Sequence, residues 1–435
     1  MSKKGLITKA LSFLPQSKRI EGFFLIFATL ITSILEALGI SLILPILTLS
    51  LDGNLNQLPF SFGLIFDKIT LFGDISLIYK ISIILFSIYI IKNIYLLFYY
   101  YWQNKYSLSI YKITSTSLYE FYLNHKMSFH LEKNSSELIR NVLVECKNYS
   151  SVINTLIKLI SESAILLGII FMLVILRPTE TITSAIIIIF FILILYYITN
   201  KKIENWGKIR QDTTGLALKN LQQGLHAIKD IKLKNCQNFF KDKYLFQIGK
   251  FANSAYKHNT IMEVPKIWLE LVFIIIFPLV IIFSSIDDSS FEIKEILPTL
   301  GLFVAAIFKL LPSIYRMFGA FQTISFNKAV IEKLYEEFKF TNIKTQIPFT
   351  EYNFKFKFEN EINIQNVYFK YPSANKNLLE NFSLDIKKNE TLGIIGQSGV
   401  GKSTLVNLII GLLDTDKGKI QVDGKDIQNN IKNWQ

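Results

Sequence analysis

Six blocks of nearly unbroken apolar sequence dominate the chain, at Phe23 to Ser50 and at roughly residues 76–102, 152–176, 181–199, 267–284 and 296–320. A helix needs about 20 such residues to cross hydrocarbon, so the pattern predicts six membrane-spanning helices. The intervals between them are very unequal. Blocks three and four are separated by little more than Arg177-Pro178-Thr179-Glu180, whereas 104–150 and 200–260 are long, polar and helical in pattern. Neither long interval has the apolar content for a core of its own, so both are expected to be helical extensions of the spans. Ahead of the first block, Leu6, Ile7, Ala10, Leu11 and Leu14 share one face with Lys3, Lys4 and Lys9 nearby, as in a short helix lying in the membrane interface. The first block is far longer than a signal-peptide core and lacks a small-residue cleavage pattern, so it reads as a retained span.

After the sixth block the period changes. Past Pro348, Phe354, Phe356 and Phe358 alternate with Lys355 and Lys357 in a strand-like pattern, and residues 362–372 and 382–386 predict two further strands. The run Thr391-Leu392-Gly393-Ile394-Ile395 predicts a buried strand, and Leu405, Leu408, Ile409 and Leu412 recur at helical spacing. Between them stands Gly396-Gln397-Ser398-Gly399-Val400-Gly401-Lys402-Ser403-Thr404. This G-x-x-x-x-G-K-[ST] run is a phosphate cradle. Its glycines let successive N–H groups converge on a phosphate, the start of the next helix adds its positive end, Lys402 reaches the β/γ-phosphates, and the Ser403 hydroxyl ligates Mg²⁺. Tyr371 closes a strand 25 residues before Gly396 and is either a platform for a nucleotide base or an ordinary sheet-edge tyrosine.

Composition agrees with a membrane protein. Of 435 residues 50% are hydrophobic and 19% charged, and a mean hydropathy of +0.34 is too apolar for an ordinary soluble chain. The net charge of +13 suits either nucleic acid or loops facing anionic lipid, and its location decides. The two long intervals hold 6 and 12 Lys/Arg, while the opposite loops contribute only Lys68, Arg177 and Lys294. The positive-inside rule therefore puts both termini and both long intervals in the cytoplasm, and nucleic acid is not expected as a partner. Cys146 and Cys236 stand apart, with no C-x-x-C and no histidine set, so neither a disulfide framework nor a metal site is indicated. Both are expected to react with thiol reagents from the cytoplasmic side.

Polar residues inside the spans are the other source of function. Thr29, Ser33, Glu36 and Gly39/Ile40 form a small or polar stripe expected to face the bundle. A charge at such depth costs about 2.5–3.5 kcal/mol on insertion scales, so Glu36 either belongs to a substrate path or makes a structural bond between helices. Lys158 and Glu162, four residues apart, read as a local ion pair. Lys309, Ser313, Arg316, Ala320 and Thr323 share one face of the sixth span. Either Arg316 snorkels to the interface while Lys309 pairs with a carboxylate such as Glu36, or both cations line a cavity and neutralise an anionic headgroup.

Six spans with two long extensions, Tyr371-Pro372, the 396–404 run and Gly418-Lys419-Ile420-Gln421-Val422-Asp423-Gly424-Lys425-Asp426-Ile427 together resemble an ABC exporter half-transporter along the whole chain. The resemblance implies a membrane α-helical bundle over 1–340, a linker over 341–360 and, over 361–435, the first part of an α/β P-loop ATPase domain. It also implies ATP and Mg²⁺ as cofactors, adenine stacked on Tyr371, and coupling helices near 121–133 and 224–240. Leu35-Glu36-Ala37-Leu38-Gly39-Ile40 through Leu44-Pro45, and Asn134-Ser135-Ser136-Glu137-Leu138-Ile139-Arg140, are similar to the bacterial flippases of lipid-linked oligosaccharides. The family's glutamine loop, signature motif, Walker B carboxylate, catalytic glutamate and switch histidine would all follow Gln435. On this reading Trp434 precedes the glutamine loop, the chain is a fragment, and no catalytic residue lies within it. As written it is expected not to hydrolyse ATP. The leading expectation is a homodimeric, ATP-driven exporter or flippase of the bacterial inner membrane that carries a lipid-linked or other amphipathic anionic substrate. The alternatives are a catalytically silent remnant or ATP-sensing membrane protein, an exporter of another lipid, peptide or drug, and a membrane-tethered P-loop kinase or GTPase, which the long extensions disfavour.

Overall fold

The computed structural model describes residues 5–41, 77–176, 178–286, 293–344, 358–372, 374–429 and 431–434. The expectations for Leu44-Pro45, Lys68, Arg177, Pro348 and the alternation from Phe354 to Lys357 lie outside these residues, as do the side chains of Gly39 and Ile40. The chain forms two compact units, Met1–Ser115 with Leu143–Glu337, and Thr116–Val142 with Phe338–Gln435.

The first unit is helical. It contains α1 (Leu6–Ser12), α2 (Gln16–Ser41) and most of α3 (Leu77–Leu123). After two short helices of the other unit, α4 (Met127–Glu132) and α5 (Ser135–Arg140), come α6 (Cys146–Leu176), α7 (Pro178–His226), α8 (Ile228–Leu233), α9 (Gln237–Ile286), α10 (Ile293–Phe326) and α11 (Lys328–Lys344). Helices α3, α7 and α9 run 47, 49 and 50 residues. At 1.5 Å per residue each is about 70–75 Å long, more than twice the roughly 30 Å of hydrocarbon in a bilayer. The polar intervals are therefore continuations of the apolar helices, as their pattern predicts. Among the described residues three helices are long and apolar enough to cross a membrane: Tyr79–Leu123, Ser135–Ile175 and Thr181–His226. Their apolar faces are largely uncovered, with Leu97, Phe98 and Tyr101 on α3 and Ile186, Phe190 and Tyr197 on α7 all exposed.

Where helices meet, small residues or branched apolar ones sit between them. Ile165, Leu166, Ile169 and Leu173 of α6 pack with Leu269 of α9 and with Ala306, Leu310 and Ile314 of α10. Helix α2 lies on α6 through Ser33, whose Oγ donates to the Ala164 carbonyl at 2.8 Å beside Gly168. Thr29, Ser33 and Glu36 are buried, so the stripe read from their spacing does face the bundle. The short α1 is held by Tyr149 of α6, whose hydroxyl donates to the Ala10 carbonyl, and by the Arg19 guanidinium, which donates to the carbonyls of Leu14 and Ser12.

Besides α4 and α5 the second unit contains a four-stranded antiparallel sheet, order β2-β1-β3-β4, with a helix packed on it. Strands β1 (Glu361–Phe369) and β2 (Leu379–Lys387) match two of the predicted strands; β3 (Lys417–Val422) and β4 (Lys425–Asp426) follow the helix α12 (Lys402–Ile409). In β1 the buried residues are Ile362, Ile364, Val367 and Phe369, so the period of two slips by one residue midway. A bulge absorbs the slip. Asn366 takes φ 47°, and Gly418 opposite takes φ 84° with no room for a Cβ, which would lie 2.3 Å from the Asn366 carbonyl oxygen. Asp423 and Gly424, both at positive φ, make the two-residue turn from β3 to β4. The Asp423 carboxylate also accepts the N–H groups of Glu359, Asn360 and Glu361, and these bonds hold its pKa below the ordinary carboxylate value.

The run 391–395 is not a strand. All five residues are exposed, Ile395 at 97%, and none pairs with a described strand. A strand needs a neighbouring ladder for its N–H and C=O groups, and every ladder in this sheet is antiparallel and already assigned among the four strands. The cradle is thus entered from chain that pairs with no strand among the described residues.

Candidate functional site

The 396–404 loop is shaped by two residues at which only glycine fits easily. Gly399 has φ 85° and Gly401 φ 107°, a region in which a side chain is strained. At 401 a Cβ would also meet Leu378 Cγ at 3.3 Å. Gly401 is the N-cap of α12, and its carbonyl accepts the Leu405 N–H at 2.8 Å. Lys402, the first helical residue, folds back over the loop, and its Nζ donates to the carbonyls of Gly396 at 2.7 Å and Gln397 at 2.8 Å. Gln397 and Ser398 are exposed, as is Val400, which touches the position of a Gly396 Cβ at 3.0 Å. Ser403 is exposed on the first turn of the helix, while Thr404 is buried.

Tyr371 comes to this loop from 33 residues away. Its hydroxyl lies 2.9 Å from Thr404 Oγ1, and its ring packs edge-on against Phe369 at 5.0 Å. The ring is half-buried beside the cluster formed by Ile364, Leu379, Leu405 and Leu408. The cradle and the tyrosine named from sequence are therefore neighbours. Sequence reasoning missed the partner of Trp434, whose Nε1 donates to the Ile409 carbonyl at the end of α12.

Such a loop is chemically fitted to a phosphate. Its backbone turns through left-handed glycines, and its one ammonium is held by neutral carbonyls that a phosphate oxygen outcompetes. For a divalent ion the fit is partial. The described residues contain no group of three His, Cys, Asp or Glu able to hold a metal, so Mg²⁺ would take the Ser403 hydroxyl and draw its other oxygens from the nucleotide and water.

The same unit contains the tip of the first long extension. Lys126, the residue before α4, pairs with Asp414 at 2.5 Å, just beyond α12. His125 stacks on Phe129 at 4.2 Å, a His130 ring nitrogen lies 2.8 Å from the Tyr122 carbonyl, and Asn134 caps α5 by accepting the Ser136 N–H. Helices α4 and α8 are the short helices expected near 121–133 and 224–240.

Within the helical unit two buried carboxylates, Glu36 and Glu162, are paired across helices. Glu36 of α2 binds Lys309 of α10 at 2.6 Å and Lys92 of α3 at 3.2 Å. Lys92, one of two lysines in the second apolar block, went unnoticed in the sequence. Arg316 of α10 grips Glu162 of α6 with two bonds, Nε to Oε1 at 2.5 Å and Nη2 to Oε2 at 3.1 Å, and also reaches Ser313. Lys158 is exposed, so the expected local pair gives way to a forked guanidinium contact that holds a planar carboxylate better than an ammonium four residues away. Cys146 is fully buried and cannot serve as a labelling site, whereas Cys236 is half-exposed. Farther along the extensions, Arg210 lies 3.7 Å from Glu145 and over the Phe326 ring, and His258 stacks on that ring at 3.8 Å. Burial, helped by Arg210, pushes the His258 pKa below its ordinary value.

Comparison with known proteins covers both units. The family model described as ABC transporter transmembrane region matches residues 21–309, and that described as ABC transporter matches 379–435. The ATP-dependent lipid A-core flippase of Vibrio vulnificus is 21% identical over 313 residues, 72% of this chain and 52% of that protein; that of Photobacterium profundum is 20% identical over 317 residues, with the same shares. The energy-coupling factor transporter ATP-binding protein EcfA1 of Ligilactobacillus salivarius is 47% identical over 68 residues, 16% of this chain and 24% of that protein. The chain spans about half the length of the flippases it matches.

Proposed function

The chain belongs to the ABC transporter family, a membrane region fused to ATPase sequence, and on that premise we propose that it is one half of an ATP-driven flippase for an amphipathic anionic lipid. ATP is held at the 396–404 loop, with Lys402 on its phosphates, Mg²⁺ on Ser403 and the base against Tyr371. Two copies assemble in the bacterial inner membrane, with six spans each and both ends in the cytoplasm, because a single cradle supplies only part of the charge stabilisation that phosphoryl transfer needs. The cargo class, a lipid-linked oligosaccharide or a related lipid, is supported by the flippase names of the relatives and by the cations on α10.

The observation that carries this reading is the Lys126–Asp414 ion pair. It ties the loop at the end of α3 to the residues that follow the cradle helix, so a change at the phosphates has a direct mechanical route to an apolar helix. The test is ATP-driven lipid movement in proteoliposomes by the protein as its gene encodes it. Wild type should move a pyrophosphate-linked lipid with ATP, and Lys402→Ala should be inserted normally yet move none. Equal movement by the variant would refute the proposal.

A further inference from the structure

Glu36 holds two lysines when one would neutralise it. Its carboxylate is clamped between Lys309 on Oε1 and Lys92 on Oε2, so three helices converge on a cluster with one cation in excess. The three members differ in access. The Glu36 and Lys92 side chains are 4% and 6% exposed, and the Lys92 ammonium is sheltered over the Tyr89 ring at 4.1 Å; the Lys309 side chain is 33% exposed. Two groups are locked in and one is partly exposed.

This asymmetry assigns separate tasks to the two lysines. If Lys309 left Glu36 with no second lysine present, a bare carboxylate would remain in an apolar setting, at heavy cost. Lys92 removes that cost, because Glu36 and Lys92 together form a neutral buried pair. Lys309 is then free to swing to another anion, and the cluster exchanges one carboxylate contact for one ligand contact without stranding a charge.

We infer that Lys92, Glu36 and Lys309 form a counter-ion gate, in which Glu36 occupies Lys309 at rest and the phosphate of a lipid headgroup displaces it while Lys92 keeps Glu36 neutralised. The inference rests on the flippase reading above and adds to it a built-in competitor that sets how tightly the headgroup is held. Lys309 touches the ligand. Lys92 and Glu36 act through Lys309 as positioning residues.

The test uses the purified 435-residue chain in neutral detergent, with phosphatidic acid as probe, phosphatidylcholine as control and inorganic phosphate as competitor. Wild type should prefer phosphatidic acid. Lys309→Gln should lose that preference. Lys92→Gln should weaken it as well, because Glu36 then keeps Lys309 for itself. Glu36→Gln should tighten binding by about tenfold if the released state of Lys309 is populated at roughly 10% in wild type. Opposite signs for Glu36→Gln and Lys309→Gln are the signature, since a loss of folding weakens binding in both. Should Glu36→Gln fail to fold, Glu36→Asp, too short to span both lysines, must tighten binding in the same direction. Loss of preference in Lys309→Gln with no tightening in either Glu36 variant would overturn the gate and leave the anionic cargo standing. No shift in any variant would overturn both. Displacement by inorganic phosphate at the same concentration as by phosphatidic acid would overturn the assignment to a lipid.

Discussion

Gly207 of α7 lies hard against the end of α10, and its replacement gives a direct measure of how far packing there is fixed by backbone. A Cβ at 207 would lie 1.9 Å from the Phe326 carbonyl oxygen, 2.7 Å from its carbon and 3.1 Å from its Cα. All three are main-chain atoms at the end of α10, so no rotamer change relieves the clash. Restoring ordinary contact requires the two helices to part by roughly 1.5 Å, and overpacking of this kind costs about 1–3 kcal/mol. Alanine is favoured over glycine inside a helix by about 1 kcal/mol, so the net effect of Gly207→Ala is a loss of up to about 2 kcal/mol. Gly249 of α9 is the matched control. Nothing lies within 4 Å of its would-be Cβ, so Gly249→Ala should gain about 0.5–1 kcal/mol from propensity alone. Thermal unfolding of the detergent-solubilised chain reads both, with the midpoint expected to fall for Gly207→Ala and to rise for Gly249→Ala. A rise for both would refute the close approach of α7 to Phe326.

Three further outcomes follow from particular contacts. Lys126→Glu should uncouple lipid-stimulated ATPase from transport in the protein as its gene encodes it, with little change in stability because an exposed pair is worth only about 0–1 kcal/mol, and Asp414→Lys in the same chain should restore coupling; no restoration would dismiss the pair as incidental. His258 binds a proton less readily in the folded protein than in the unfolded chain, so its contribution is complete above about pH 6.5 and is lost as pH falls; the drop in unfolding midpoint from pH 7.5 to 5.5 should shrink in His258→Gln. A charged maleimide should label Cys236 from the cytoplasmic side of inverted vesicles and leave Cys146 untouched until the protein unfolds, and labelling of Cys236 from outside intact cells would overturn the topology.

Much of this architecture was legible in the residues because it rests on strong local signals. Apolar blocks become helices wherever they fall, and Gly399, Gly401, Gly418 and Gly424 stand where the backbone turns left-handed. What was misread depended on partners distant in the chain. The run 391–395 is apolar enough for a strand, but a strand is made by its neighbour, and periodicity cannot say whether one is present. Lys158 and Glu162 sit at ideal helical spacing, yet Glu162 is taken by Arg316, 154 residues away, through a better-matched fork. Lys92 formed no stripe with other polar residues and so carried no pattern; only the meeting of α2, α3 and α10 at Glu36 reveals its task. The Lys126–Asp414 pair spans 288 residues and leaves no trace in local sequence.

The central claim is that the 396–404 loop binds ATP through Lys402. Photoaffinity labelling with an azido-ATP in native membranes, followed by mapping of the modified peptide, tests it most directly. Label is expected within or beside residues 371–404 of the wild-type chain, competed by unlabelled ATP, and is expected to vanish in Lys402→Ala while the variant remains fully membrane-inserted. Undiminished, ATP-competable labelling of that variant would contradict the account.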